Sequence, residues 1–228
     1  DPKQECEAAR MMLAYRVECL VCTGATDPDT IAQMCAESGV QSINLDLPGS
    51  KAPSVISNNR DGARQLTHAI LNRLAEEKRS DDPVLFIGGR DEDHNTRERI
   101  AGFKQAREEV GLATAEEHIL PCDYAADKAQ AALATYMRNR STLPSAMFVN
   151  STISLEGIVR GLQLNGYYLD GIIFGCFDWD PLAAAFHPRL MMVRQNVIEM
   201  IDRVFELIDT PPRDSRLLIE VQPEIMGV

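Results

Sequence analysis

The sequence predicts an α/β fold built on mostly parallel sheet, and three observations carry that prediction. Short apolar runs alternate with segments of helical period along nearly all of the 228 residues. Several of these runs are apolar throughout, as strands covered by helices on both faces must be. Helix-start signals follow several of the runs, so successive strands are joined by helical crossovers, which are right-handed.

The elements follow in order. A helix over 2–15 opens with Asp1 as N-cap, Pro2 at the first helical position and Gln4 completing a capping box. A strand over 18–23 is followed by a helix over 28–38, started by Asp27-Pro28. The strand over 41–46 runs Gln41-Ser42-Ile43-Asn44-Leu45 and closes on Asp46. A helix over 59–77 leads to a charged loop over 76–83 and a strand over 83–88. Helices over 95–110 and 125–139 precede a strand over 145–150, then a helix over 152–165. Strands over 171–177 and 190–194 follow. The last helix, 196–209, begins at Asn196 with Glu199 three residues on, and Val197, Ile201, Val204, Phe205 and Ile208 form a stripe expected in the core. Pro211-Pro212-Arg213-Asp214 breaks the chain afterwards. No solenoid period and no low-complexity tract is present.

Charge bounds the partners. The formal net charge is -11 with an isoelectric point near 4.8, and such a surface repels DNA phosphates and anionic lipid heads. Nucleic-acid contact would need a basic module outside these residues. No apolar run approaches the roughly 18 residues that cross a bilayer, and Asp1-Pro2-Lys3-Gln4-Glu5 does not read as a secretory signal. Six cysteines include Cys19-Leu20-Val21-Cys22. Two thiols three apart on a strand face opposite sides, so the expectation is buried, unpaired cysteines in a cytoplasmic protein.

Catalytic signatures are missing: the chain has no G-x-S-x-G, H-E-x-x-H, Walker A or G-x-G-x-x-G. His68, His94, His118 and His187 lack metal-ligand spacing, so neither a metal nor a cofactor is expected. Gly88-Gly89 either marks a turn or brings backbone close to a ligand. Strand ends are where ligands collect in open α/β sheets, and three of them carry polar residues: Asp46; Ser151 with Thr152; and Asp178 with Trp179 and Asp180. His94 follows a fourth, within a charged loop. Carboxylates accept paired hydroxyls and an indole covers the apolar side of a sugar ring. Each residue also has a plain structural reading as a cap, a turn or core.

Thr96-Arg97-Glu98-Arg99-Ile100-Ala101-Gly102-Phe103 resembles the R-x-R-x-x-G-F element of LacI/GalR-type effector domains. The segment from Ser54 to Ala63, the strand Ser145-Ala146-Met147-Phe148-Val149 with Gly157, the strand end Gly175-Cys176-Phe177-Asp178, and His187-Pro188-Arg189-Leu190-Met191-Met192-Val193-Arg194-Gln195 are similar to further family elements in the same order. The resemblance implies a periplasmic-binding-protein-like type I fold: two Rossmann-like subdomains with mostly parallel sheets around a hinge cleft. It implies a DNA-proximal subdomain of 1–57 plus about 197–216 and a distal one of 58–196 plus about 217–228. Arg99 would reach the ligand as a donor fork, Asp178 would accept its hydroxyls, and Asp46 and Gln195 would lie near the cleft. Ser151-Thr152 stands where the family commonly has Asn-Asp, a change similar to fructose-responsive members.

The expected function is effector binding and homodimerisation in a transcription regulator, without a chemical step. DNA would be bound through a helix-turn-helix headpiece that these residues lack, together with the family's first strand–helix–strand. A solute-binding protein of a sugar transporter is the alternative; the Pro188 turn and the cysteines favour the regulator. A sugar-phosphate enzyme using Asp178 and Asp180 as acid and base is a third reading, without a nucleophile to support it. The effector is left open between two chemistries. Arg99, Arg97, His94 and Lys51 suit a sugar phosphate, whereas Asp46 and Asp178 suit neutral hydroxyls.

Overall fold

A computed structural model describes residues 1–80, 82–138, 140, 142–187 and 189–227. Pro188, to which the turn before the last predicted strand was assigned, lies outside the described residues. The chain forms two compact units, Asp1–Asn58 with Asn196–Gln222, and Asn59–Gln195 with Pro223–Val228.

The first unit holds a four-stranded, all-parallel sheet in the order β1 (Cys19–Thr23), β2 (Gln41–Leu45), β3 (Ser54–Ser57), β9 (Leu218–Val221). Segment 217–222, expected with the distal subdomain, joins this unit because β9 pairs with β3 from Ser54↔Leu218 to Ser57↔Val221. Helices α1 (Pro2–Ala14) and α2 (Pro28–Glu37) start as expected, with Asp1 and Asp27 accepting from the Lys3 and Thr30 amides. Ala9, Ala25, Ile31 and Cys35 form one core with Leu20 and Cys22 against it, whereas Cys19 packs on the opposite core of Ile43, Val55, Met200 and Val204. The two thiols of the C-x-x-C therefore face opposite sides of β1.

Helix α8 (Val197–Asp209) corrects one expectation. Its core face is Met200, Val204 and Leu207, while Val197 and Phe205 are each 59% exposed. The helix carries two apolar stripes, and its period is satisfied by either. Which one is buried is fixed by the sheet it lands on.

The second unit holds a six-stranded sheet in the order β10 (Glu224–Met226), β8 (Met191–Arg194), β7 (Ile173–Phe177), β6 (Ala146–Val149), β4 (Val84–Ile87), β5 (Ile119–Leu120). All neighbours are parallel except β10, which runs antiparallel to β8. Its inner strands have no exposed face. Along β6, Ala146 and Phe148 join a core with Leu66, Ile70 and Phe103, while Met147 and Val149 join the opposite core with Leu133 and Ile158. Helices α3 (Asn59–Glu76) and α4 (His94–Glu109) supply the first core, and α5 (Ala126–Met137) and α6 (Thr152–Leu164) the second. Phe86 stacks on Phe148 at 4.9 Å and Phe103 meets both rings edge-on. The six-residue helix α7 (Pro181–Phe186) was not anticipated; Asp180 caps it through the Ala183 amide.

Burial affects the thiols of both units. It pushes Cys22 up to about 11 and Cys122 up to about 11 from an ordinary value of 9.0. Their folded values exceed their unfolded ones, so the stability they contribute is fully present below pH 9 and is lost as pH rises towards 11. Peptide mapping after iodoacetamide treatment at pH 8 should find both labelled far more slowly than in urea-unfolded chain. Equal rates in the two states would refute the protonated, shielded thiols described here.

Candidate functional site

Parallel pairing aligns the carboxyl ends of β4, β5, β6, β7 and β8 along one edge of the second sheet. Ile87 lies beside Val149, Val149 beside Cys176, and Phe177 beside Val193. The residues that follow therefore share that edge: Gly88-Gly89, Asn150-Ser151, Asp178-Trp179 and Gln195.

Arg99 is the buried centre of this edge, only 3% exposed although charged. Its Nε donates to Asn59 Oδ1 at 2.8 Å and its Nη1 to the Asn150 carbonyl at 2.7 Å. The guanidinium lies 3.6 Å from the centroid of Phe177, whose ring face attracts the cation. Nη1 is also 3.8 Å from Asp178 Oδ2. A buried guanidinium is tolerable only with such partners, because an unpaired one would be costly to desolvate.

Asp178 stands at the rim, with its side chain 36% exposed. Gln195 Nε2 donates to its Oδ1 at 2.6 Å. Its φ is +71°, a left-handed conformation that aspartate adopts more readily than most residues. Asp46, at the end of β2 in the first unit, has φ +74°. Left-handed non-glycine residues cost conformational energy and cluster at functional positions; of the three strand-end aspartates singled out by the sequence, Asp46 and Asp178 have this backbone and Asp180 does not.

A second group adjoins the first. Asp93 caps α4, and its Oδ2 accepts from the Thr96 amide, the Thr96 hydroxyl and, at 2.7 Å, the Tyr124 hydroxyl. Burial raises the Tyr124 phenol above its usual range, which keeps it a neutral donor. Asn150 joins the two groups: its carbonyl holds Arg99, and its Nδ2 is 3.4 Å from both Thr96 Oγ1 and Tyr124 Oη. Among the described residues its Oδ1 is buried without a hydrogen-bond partner. A buried acceptor with no donor costs about 1–3 kcal/mol, so this atom invites a hydroxyl or amide hydrogen.

Gly88 and Gly89 have φ of +112° and +79°, and Gly89 exchanges backbone hydrogen bonds with Asp123. A Cβ on Gly89 would lie 2.3 Å from Thr96 Oγ1 and 2.5 Å from Asn150 Nδ2. The pair is a turn on which the polar group closes.

The other predicted residues divide. Ser151 is buried and caps α6, its Oγ accepting from the Ser154 amide at 3.4 Å. Thr152 opens α6 and is half-buried. Trp179 is 37% exposed, with the Arg194 guanidinium 5.9 Å from its ring. His94 opens α4 and is half-buried. Asp46 belongs to the first unit and the others to the second. Sequence reasoning missed Asn59, Asp93, Asn150 and Tyr124. The first three flank predicted elements, a usable signal, but Tyr124 follows a two-residue strand that has no period to detect. Among the described residues no group of three or more His, Cys, Asp or Glu side chains is arranged to hold a metal ion.

Comparison with known proteins agrees with this architecture. Residues 1–176 match the family of periplasmic binding proteins and sugar-binding domains of the LacI family. The chain is 51% identical over 89 residues to the ribitol operon repressor of Klebsiella aerogenes, an alignment covering 39% of this chain and 33% of that protein. It is 27% identical over 228 residues to the HTH-type transcriptional repressor PurR of Vibrio campbellii, covering 95% of this chain and 65% of PurR. It thus spans between one third and just under two thirds of these curated relatives. Among solved structures, the Cra transcriptional dual regulator of Pseudomonas putida in complex with fructose 1-phosphate superposes with a TM-score of 0.81 at 21% identity, over 99% of this chain and 83% of that one. The CelR–cellobiose complex gives a TM-score of 0.79 at 20% identity, over 96% and 68%. With more than half its length matched and the parallel α/β architecture in place, this chain belongs to the family of periplasmic binding proteins and sugar-binding domains of the LacI family.

Proposed function

We propose that this chain is the effector-binding part of a cytoplasmic transcription regulator, and that a small sugar-class molecule binds at the strand-end polar cluster of its second unit. The observation that carries this reading is the buried Asn150 Oδ1, an acceptor without a donor among the described residues, set between Arg99, Thr96 and Tyr124. In this reading Arg99 is a positioning residue, because two of its nitrogens already hold Asn59 and Asn150. Asp178 and Trp179, half-exposed at the rim, make the ligand contacts, as acceptor and as apolar wall. Kinship with the ribitol operon repressor and PurR supports a regulator over a transporter's solute-binding protein. The net charge of -11 supports a reading in which these residues do not themselves contact DNA, and in which ligand binding acts by population shift in a dimer with no chemical step.

Isothermal titration of the chain with a panel of sugars and sugar alcohols tests the site. Asp178→Asn keeps the size and an acceptor oxygen but loses the charge, and should weaken the best ligand about tenfold. Asp46→Asn in the same titration asks whether the first unit contributes. If Asp178→Asn and Trp179→Ala both leave affinity unchanged, the site lies elsewhere.

A further inference from the structure

The cluster's charges discriminate between the two ligand chemistries that the sequence leaves open. Four arginines and a lysine at this edge have partners. Arg99 is held by Asn59, Asn150 and Asp178. Arg90 Nε lies 3.5 Å from Asp123, and Lys128 Nζ donates to the same carboxylate at 2.8 Å. Arg97 donates to the Glu92 carbonyl at 2.8 Å, and Arg194 pairs with Glu224.

The helix N-termini are likewise engaged. Such termini attract phosphate through free amides, but Asp93 caps α4 and Ser151 caps α6. Acceptors, by contrast, are left over. Among the described residues Asp93 Oδ1 and Asn150 Oδ1 receive no hydrogen bond, and Asp178 Oδ2 has only the 3.8 Å contact with Arg99. Asp180 adds a further negative charge beside Trp179. The edge therefore needs a ligand that brings donors, and it opposes one that brings more negative charge.

We propose that the effector is an uncharged polyol or sugar, and that this cluster rejects phosphorylated sugars. The inference rests on the cluster being the effector site. Hydroxyls of the ligand satisfy Asp178, Asp93 and Asn150, while its C–H face lies against Trp179. A phosphate dianion at the same place meets Asp93, Asp178 and Asp180, while Arg90, Lys128 and Arg194 are already paired with carboxylates.

Matched pairs decide it: ribitol with ribitol 5-phosphate, and D-fructose with D-fructose 1-phosphate, titrated calorimetrically into the chain and into Asp178→Asn. The neutral member of any pair that binds should be at least about tenfold tighter than its ester, and Asp178→Asn should narrow that gap. An ester binding as tightly as its parent, with affinity still altered by Asp178→Asn, overturns the charge selection and leaves the site standing. Binding by either member that ignores Asp178→Asn overturns the site and the selection together. No binding by any member in either protein does the same.

Discussion

Arg99→Ala should lower the unfolding temperature of the second unit by about 10 °C before any effector is added. The substitution removes the donors to Asn59 Oδ1 and the Asn150 carbonyl, and it leaves the Phe177 ring without the cation packed 3.6 Å from its centre. Breaking a buried, hydrogen-bonded charge cluster typically costs about 3 kcal/mol or more, and a domain of this size loses roughly 3 °C per kcal/mol. Differential scanning calorimetry without ligand reads the effect directly. A midpoint within about 2 °C of the parent would mean that Arg99 is held for the ligand alone, and its role as a positioning residue would fall. Because folding and binding change together in this variant, Asp178→Asn is the cleaner probe of recognition.

Gly102→Ala should be comparably damaging, against the local preference of the helix. Alanine favours helix over glycine by about 1 kcal/mol. Here its Cβ would lie 2.1 Å from the Arg60 carbonyl oxygen and 2.9 Å from the Arg64 amide nitrogen, so α3 and α4 would have to separate. Overpacking against backbone costs about 1–3 kcal/mol and occasionally more, and no side-chain rotation relieves it. Gly157 makes the same kind of contact between α6 and α5, its Cβ position 1.9 Å from the Ala126 carbonyl oxygen. Gly171 provides the control, since nothing lies within 4 Å of its Cβ position. Gly171→Ala should stay within about 0.5 kcal/mol of the parent. Urea denaturation of all three variants gives the ranking; Gly102→Ala as stable as Gly171→Ala would show that the helices do not meet where described.

Legibility followed the length of the local signal. Runs such as Ala146–Val149 and Ile173–Phe177 could be read from composition because both faces are buried, so every residue is apolar. The caps Asp1, Asp27 and Asn196 were read correctly because a cap is a bond between residues two or three apart. The short strands β3, β5, β9 and β10 and the helix α7 escaped, being too brief for a period to register. Among the candidate site residues, Asp178 and Gln195 were named from the sequence, and the structure joins them at 2.6 Å. Tyr124 gave no signal, since it enters the cluster only through partners dozens of positions away.

The sequence by itself determined the α/β class, the family, the order of the long elements and the strand ends that carry polar residues. Each of these depends on local period, capping chemistry or an ordered set of short motifs. Tertiary structure alone decided which stripe of α8 is buried, that β9 pairs with β3, and that Arg99 is enclosed and engaged. These are long-range outcomes: a helix with two apolar stripes, an edge strand with two available neighbours and an arginine with several acceptors within reach have no local preference strong enough to choose. The same holds for the charge balance at the strand ends. The sequence supplies both cations and carboxylates, and only their pairing in space leaves acceptors unsatisfied while Arg90, Lys128 and Arg194 are held by carboxylates.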